Sequence, residues 1–537
     1  MGSVMANRCL LVQNIAGALS RSNIVKVGLG DSLNMYTETQ SPTEHSTSLL
    51  MRSIDGAKVF ADGLEGKCRG LYRVSRSYWN TPVLYGVFGH GLYLFEQNGT
   101  VHRIADILTT NSECRMVETG GYNDAHPHLL IVDGLNCYAV DVMVPPATQE
   151  ADFRTILLPV RPNDPATRIK PTHIAYLYGY AICNDSESDA FYTSYQYPFE
   201  ILDERGEPDY DIWRLSSTNN IGFITYSEWS TDATTALCSN GSKLYTFGPR
   251  SWQAFSYNDD KNNPFSSPDN AAGNIGIKAP SSLAMLGTTT IWLGSSDIGE
   301  DGVFMLSDAT LKRISTGDLE RELSQMNNPQ NAYASIWQEH RHTFYSLTFE
   351  DSKITYVYDV SEDKWHRRAS YDESNNLTFW RYSHAVFAYN RTMVAAENAL
   401  CYLDEHKYDE HDGRRILKMR RGGVLTSNDQ PFYIDAFELI ANQGQHDTKF
   451  ASLVSGELPQ PVDNGLNPRV SFRYSWDGGQ FSDYEDAYLG KVGDYEWETT
   501  VYGCGLGKFF TLEISTTEKI PFCIENLKVS WTPSSMF

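Results

Sequence analysis

Leu84-Tyr85-Gly86-Val87-Phe88-Gly89-His90-Gly91-Leu92-Tyr93-Leu94-Phe95 reads as two aromatic strands folded about a tight turn. Side-chain character alternates with a period of two, as a half-buried strand requires. The unit recurs as Leu129-Leu130-Ile131-Val132 to Cys137-Tyr138-Ala139-Val140, and as Tyr180-Ala181-Ile182-Cys183 to Phe191-Tyr192-Thr193. Further copies run from Ala236-Leu237-Cys238 to Tyr245-Thr246-Phe247, and from Met285-Leu286-Gly287 to Thr290-Ile291-Trp292-Leu293. The last two run from Thr343-Phe344-Tyr345-Ser346-Leu347 to Ile354-Thr355-Tyr356-Val357-Tyr358, and from Met393-Val394-Ala395-Ala396 to Leu400-Cys401-Tyr402-Leu403. Successive hairpins lie roughly 45 to 60 residues apart, about one four-stranded propeller blade each. A lone hairpin cannot bury both faces, so neighbouring units must stack, and closing the ring protects the strand edges. Six or seven blades fit between about residue 60 and residue 415 on that spacing. The competing reading is a pair of sandwiches or a string of separate all-β domains.

Composition agrees with strands and turns. The 537 residues include 32 Tyr, 24 Phe, 11 Trp and 40 Gly, and only 21% are charged. The formal net charge is −23. Duplex DNA is bound through neutralisation of its phosphates by Lys and Arg, so a chain this acidic is a poor DNA wrapper. It can still face DNA as a repelling wall. The nine cysteines, at 9, 68, 114, 137, 183, 238, 401, 504 and 523, include no C-x-x-C pair and are odd in number. That pattern predicts free thiols formed in a reducing cytoplasm, several of them small core residues. No stretch approaches the roughly 18 apolar residues of a membrane span. Near the N-terminus, Gln13-Asn14 interrupt the apolar run that follows Arg8, which argues against a secretion signal.

The spacing predicts three parts: residues 1–60 as an N-terminal arm and blade-closing segment, 61–415 as the propeller, and 416–537 as a β-sandwich domain. Thr316 to Leu323 reads as a short surface helix with Asp318 as an alternative N-cap. Asp404 to Gly413, followed by Arg414, Arg415, Lys418, Arg420 and Arg421, reads as a solvated connection. Fresh strands are predicted at Phe432–Ile440, Arg469–Trp476, Phe509–Ile514 and Cys523–Trp531, with Gly456–Asn467 as an exposed loop.

Motifs that suggest chemistry fail on spacing. Gly503-Cys504-Gly505-Leu506-Gly507-Lys508 has Tyr502 where a phosphate loop needs glycine, and a strand rather than a helix follows. His126-Pro127-His128, His340-Arg341-His342, and His406 with His411 lack zincin spacing. His340 and His342 would share one strand face. No D-x-D-x-D-G loop and no G-x-S-x-G elbow is present. Ser475-Trp476-Asp477-Gly478-Gly479-Gln480-Phe481 resembles the Asp-box of sialidases and other propellers, one residue short, and that motif is a structural turn. The sequence therefore nominates no catalytic, cofactor-binding or metal-binding residue and no cofactor, and marks no DNA-channel residue. A WD40-type scaffold is disfavoured because Trp476-Asp477 is the sole Trp-Asp dipeptide.

An ordered series of motifs resembles the packaged-DNA stabilisation proteins of podoviruses, the tail-nozzle or tail-hub subunits. It begins with Ser32-Leu33-Asn34-Met35-Tyr36-Thr37-Glu38 and Cys68-Arg69-Gly70-Leu71-Tyr72, then Ile174–Asn184 and Phe191-Tyr192-Thr193-Ser194. Ser242 to Phe255 and Tyr356-Val357-Tyr358-Asp359-Val360 with Lys364-Trp365 follow. Phe437-Glu438-Leu439, Tyr474–Phe481, Leu489-Gly490-Lys491-Val492-Gly493 and Leu512-Glu513-Ile514-Ser515 complete it. The acidic stretches Glu200–Asp211 and Asp404–Asp412 and the extended start before Asp31 depart from the family pattern. The resemblance implies an all-β fold, a six-bladed β-propeller with a β-sandwich, and no enzyme. It further implies a homohexameric tube in the virion tail, made in the host cytoplasm, below the portal and adaptor rings. Its implied partners are the adaptor (head-to-tail connector), tail fibres or tailspikes, a tail needle or plug, and genomic DNA in transit, without stable membrane insertion. A glycan-binding or glycan-degrading virion propeller is the alternative.

Overall fold

The computed structural model describes residues 9–13, 16, 19–21, 29–39, 49–120, 127–200, 208–215, 221–230, 232–260, 263–268, 271–296, 301–307, 310–422, 424–444 and 467–534. Seven antiparallel sheets of four strands follow one another along the chain, two of them carrying an extra short strand. Blade one is Cys68–Val74, Val83–Phe88, Gly91–Phe95 and Val101–Asp106, and the deciding hairpin is its centre. Blade two starts with Arg115–Glu118, blade three with Ile174–Leu177, blade four with Ala236–Asn240 and blade five with Ile275–Ile277 and Ala284–Leu286. Blade six is Tyr333–Glu339, His342–Phe349, Ile354–Asp359 and Lys364–Tyr371. Blade seven takes Ala385–Ala388, Arg391–Ala396 and Ala399–Asp404 and is completed by the N-terminal strand Gly56–Ala61.

The first strands of the blades pack side by side around an axis, and Ala385–Ala388 of blade seven returns to Cys68–Val74 of blade one. One apolar cluster fills each gap between neighbouring blades. Tyr85, Leu94, Leu129 and Tyr138 join blades one and two, and Trp337, Phe344, Val394 and Cys401 join blades six and seven. Burying one such side chain contributes about 1.5–3 kcal/mol, so stacking supplies what a single hairpin lacks.

The blade count is thus seven, where the family resemblance implies six. Each of the seven hairpins read from the sequence is one blade. The seventh escapes a linear count because its outer strand comes from residues 56–61, in register with Asp404 to Leu400. Gly56 is required there: a Cβ would stand 2.2 Å from the carbonyl oxygen of Asp409.

The second unit is a sandwich. One sheet runs Met35–Thr39, Leu49–Ser53, Cys523–Pro533, Phe432–Ala441 and Thr499–Tyr502, with Cys9–Gln13 also on Cys523–Pro533. The other runs Leu29–Leu33, Lys418–Arg421, Phe509–Thr516, Arg469–Trp476 and Glu485–Tyr488. Met35 and Met51 enter the same core as Phe437, Phe472, Leu512 and Val529. Residues 1–60, read as an arm, therefore also supply strands to both sandwich sheets.

Two local readings change. The helix Gly317–Leu323 is capped by Thr316, whose side chain accepts from the Leu319 amide, and it buries Leu319 and Leu323. The acidic run after residue 403 is not simply solvated. Glu410 is buried against Arg381 at 2.8 Å, and Asp409 takes Lys407 at 2.6 Å and Lys519 at 2.7 Å. Opposite charges, two of them supplied by the distant Arg381 and Lys519, make that burial tolerable. Residues 1–8, 201–207 and 451–466, and His126, lie outside the described residues, and with them most of the Gly456–Asn467 loop. Among the described residues no helix is long and apolar enough to cross a membrane.

Candidate functional site at the axis and the propeller-sandwich seam

Two places gather polar side chains in the interior. The first is the propeller axis. Arg115 at the start of blade two reaches Glu113 Oε1 at 3.0 Å and donates to the Ser281 carbonyl of blade five at 3.2 Å. His384, at the start of blade seven, stands 3.9 Å from Glu113 Oε1. Burial and the Arg115 charge pull His384 down to about 3, so this imidazole is neutral at ordinary pH. Side chains from blades two, five and seven meet here, and the bore is bridged. Beside it, a cleft of about 750 Å³ opens between blades one, six and seven. In its lining Lys67 pairs with Glu350 at 2.6 Å, and the neutral Asn328 donates to Asp351 at 3.0 Å. Arg69 donates to the carbonyls of Ser112, Gly89 and Thr109 and so holds the loops together.

The second place is the seam between propeller and sandwich. Asn34 is fully buried and takes a left-handed conformation, φ 53°. Its Nδ2 donates to the carbonyls of Ala369 in blade six and Leu417 before the sandwich, both at 2.9 Å. Its Oδ1 accepts from the Ala369 amide at 2.9 Å. Leu33 pairs in parallel with Arg367, so blade six and one sandwich sheet form a continuous sheet of twelve strands. Arg367 also pairs with Asp31 across the seam, at 3.0 Å through Nε. Behind it Arg368 has a fully buried side chain, lies 4.8–5.0 Å from the ring centres of Phe344, Trp337 and Trp380, and donates to Glu339 at 3.2 Å.

The histidine motifs separate. His340 and Arg341 form the hairpin turn with positive φ, 49° and 71°. His340 meets Asp55 at 2.7 Å, whereas His342 meets Asp359 at 2.6 Å, so the two do not share a site. His128 is buried and stacks on Phe199, His411 meets the Tyr382 hydroxyl at 3.1 Å, and His406 is exposed beside Glu405. Asp55, Glu339 and His340 together are the one group among the described residues whose donors converge as metal ligands would. Asp55 carried no signal in the sequence, because its partner lies 285 residues away. The turn at Asp477 is structural: its Oδ1 accepts from the Lys508 and Phe509 amides, both at 3.0 Å, while Trp476 packs on Phe432 and Phe510. The glycine-rich stretch before Lys508 leads directly into the strand Phe509–Thr516. Cys68, Cys114, Cys137, Cys183, Cys238, Cys401, Cys504 and Cys523 are free thiols, and all of these but the half-buried Cys523 are buried. Burial pushes Cys137, Cys238 and Cys504 up to about 12, which removes them as nucleophiles.

The described residues thus form a closed, axially bridged β-propeller that shares a sheet with a β-sandwich. Residues 211–408 match a family of phage stabilisation proteins described as Bacteriophage P22 Gp10, beta-propeller. That match covers a little over a third of the chain, and over those residues the chain is similar to the phage stabilisation proteins. No curated protein sequence matches the chain significantly. Among solved structures, the N-terminal domain of Nup159 aligns at 12% identity over 69% of this chain and 98% of its own, with a TM-score of 0.33. The AfRom2 CNH domain aligns at 9% identity over 65% and 99%, with a TM-score of 0.36. A chain of the Nidogen/Laminin complex aligns at 10% identity over 54% and 94%, with a TM-score of 0.28. Likeness at this level carries nothing about function.

Proposed function

We propose that the chain is the tail-nozzle subunit of a short-tailed phage. Copies ring a DNA channel below the portal and adaptor, retain the packaged genome, and dock fibres or spikes and a plug. The observation that carries this reading is the bridged axis. The Arg115 side chain, paired with Glu113, donates across the propeller to the backbone carbonyl of Ser281. No duplex threads such a bore, so a conduit can exist only between copies. The seam supports the same reading, because a wall that contains pressurised DNA needs subunits that do not flex internally. Charge supports it too: at −23 per copy, a ring repels the phosphate backbone and lets DNA slide, with the field confined by screening to about 8–10 Å of the wall.

Negative-stain imaging of the purified protein, alone and mixed with adaptor rings, tests the proposal. A six-fold ring with an open centre is expected. A monomer under both conditions overturns it. Once the bore is located, acid-to-Lys reversals along it should slow ejection in vitro, and unchanged kinetics would sink the charge argument. The cleft between blades one, six and seven is what favours the second reading, a glycan-binding or glycan-degrading virion propeller. Sugar released from capsular or sialylated glycans would establish that reading instead.

A further inference from the structure

We propose that Asp55, Glu339 and His340 form a divalent transition-metal site that clamps the N-terminal connector to blade six. Asp55 lies between the sandwich strand Leu49–Ser53 and the closing strand Gly56–Ala61. Glu339 ends the first strand of blade six, and His340 begins its turn. One carboxylate oxygen from each acid and an imidazole nitrogen lie within 4.8 Å of one another. Two oxygens and one nitrogen suit Zn²⁺ or a neighbouring first-row ion and leave a coordination position for water.

The arrangement shows two marks of a ligand site. Glu339 is 7% exposed, and its Oε1 has no hydrogen-bond partner among the described residues. A buried carboxylate oxygen without a donor is costly, and a cation bound there satisfies it. Its other oxygen is held by Trp337 Nε1 at 3.1 Å and Arg368 Nη2 at 3.2 Å. Outer partners of that kind orient ligating carboxylates. The left-handed turn at His340, φ 49°, swings Nε2 to within 2.7 Å of Asp55 Oδ2; tetrahedral ligands with bonds of about 2.0–2.1 Å stand about 3.3 Å apart, so an ion entering here opens this hydrogen bond by about 0.6 Å. Arg368 neutralises one carboxylate, so the three acidic and basic side chains leave one negative charge to meet the ion. Binding replaces the proton shared between His340 and Asp55, which passes to solvent.

The test uses the full chain, stripped with EDTA and titrated with Zn²⁺ by calorimetry and with Co²⁺ by visible absorption. One equivalent per chain is expected, with weak Co²⁺ ligand-field bands and no intense thiolate charge-transfer band. Asp55→Asn, His340→Ala and Glu339→Gln should each weaken binding at least about tenfold. The Glu339→Gln side chain still offers an oxygen to Trp337 and Arg368 but leaves the buried Arg368 charge uncompensated; circular dichroism checks its fold, and Asp55→Asn and His340→Ala, at half-buried positions, decide the test if it unfolds. His406→Ala, a change at an exposed histidine elsewhere, should leave binding intact. EDTA should lower the melting temperature of the wild type, and Zn²⁺ should restore it. No binding, a thiolate band, or equal binding by all three site variants overturns the proposal.

Discussion

Lys418 lies fully buried in the first strand after the connector and donates through Nζ to the carbonyls of Glu518 and Ile520, at 2.8 and 2.7 Å. Burial pulls its pKa from 10.5 down to about 7, against the opposing pull of Glu518 and Asp409. The unfolded chain keeps the ordinary value, so between about pH 7 and 10 it binds more protons than the folded chain. Stability therefore rises with pH through that window, and the penalty is complete below about 7. Lys418→Met should flatten the slope, which urea titrations at pH 7 and pH 9.5 will read. An equal rise in both proteins contradicts this. Glu513 behaves oppositely. Burial pushes its carboxyl up, but Arg473 and Arg421, each at 2.6 Å, win and hold it below 4.5. Its contribution is full above the unfolded value and fades as pH falls through the folded one. Glu513→Gln should cost about 1.5–3 kcal/mol at pH 7. The gap from wild type should narrow below about pH 4, and a gap constant down to pH 3 rejects the assignment. The sequence marks Lys418 only as part of a basic run and Glu513 only within a family motif, and their partners stay hidden, since the carbonyls that Lys418 meets lie about 100 residues further on and the arginines that hold Glu513 lie 92 and 40 residues before it.

At the scale of the element, hairpins were legible because their information is local. Two alternating runs and a turn residue suffice, as Leu84–Phe95 and Leu129–Val140 illustrate. The edges of the blades were not legible. Gly56–Ala61 pairs with residues some 340 positions away, and no periodicity in six residues announces that. Likewise, Asn34 could be noticed as part of a family motif, but its bonds to Ala369 and Leu417 could not. The metal candidate was partly visible: His340 was singled out, Asp55 and Glu339 were not. The closing strand gives a sharp mutational contrast. Gly56→Ala forces a methyl into the Asp409 carbonyl and should lose about 1–3 kcal/mol. Gly317→Ala, at the start of the short helix with open space around it, should gain about 0.4–1 kcal/mol. Denaturant midpoints measure both, and a neutral Gly56→Ala would show that blade seven closes differently.

For the whole molecule, the twelve-strand sheet predicts mechanical unity. Blade six and one face of the sandwich join in a single sheet through Leu33 and Arg367, and the same N-terminal segment completes the sandwich and blade seven. Scanning calorimetry should give one cooperative transition, and two separated endotherms would show that the seam is not energetically continuous. Hairpin spacing narrowed the propeller to six or seven blades, and it did not choose the seven that the sheets show. The union of the two units was not, because it depends on single contacts such as Leu33 with Arg367.

The order in which the chain leaves the ribosome gives that union a cost. The strand Gly56–Ala61 is synthesised early, yet its partner Ala399–Asp404 follows some 340 residues later, and Met35–Thr39 and Leu49–Ser53 wait for Cys523–Pro533. At about 5–20 residues per second, these edges stay unsatisfied for tens of seconds on each nascent polypeptide. During that interval the early strands of one chain can complete the late sheets of another translated beside it, so exchanged strands are the misassembly to look for when the protein is overproduced.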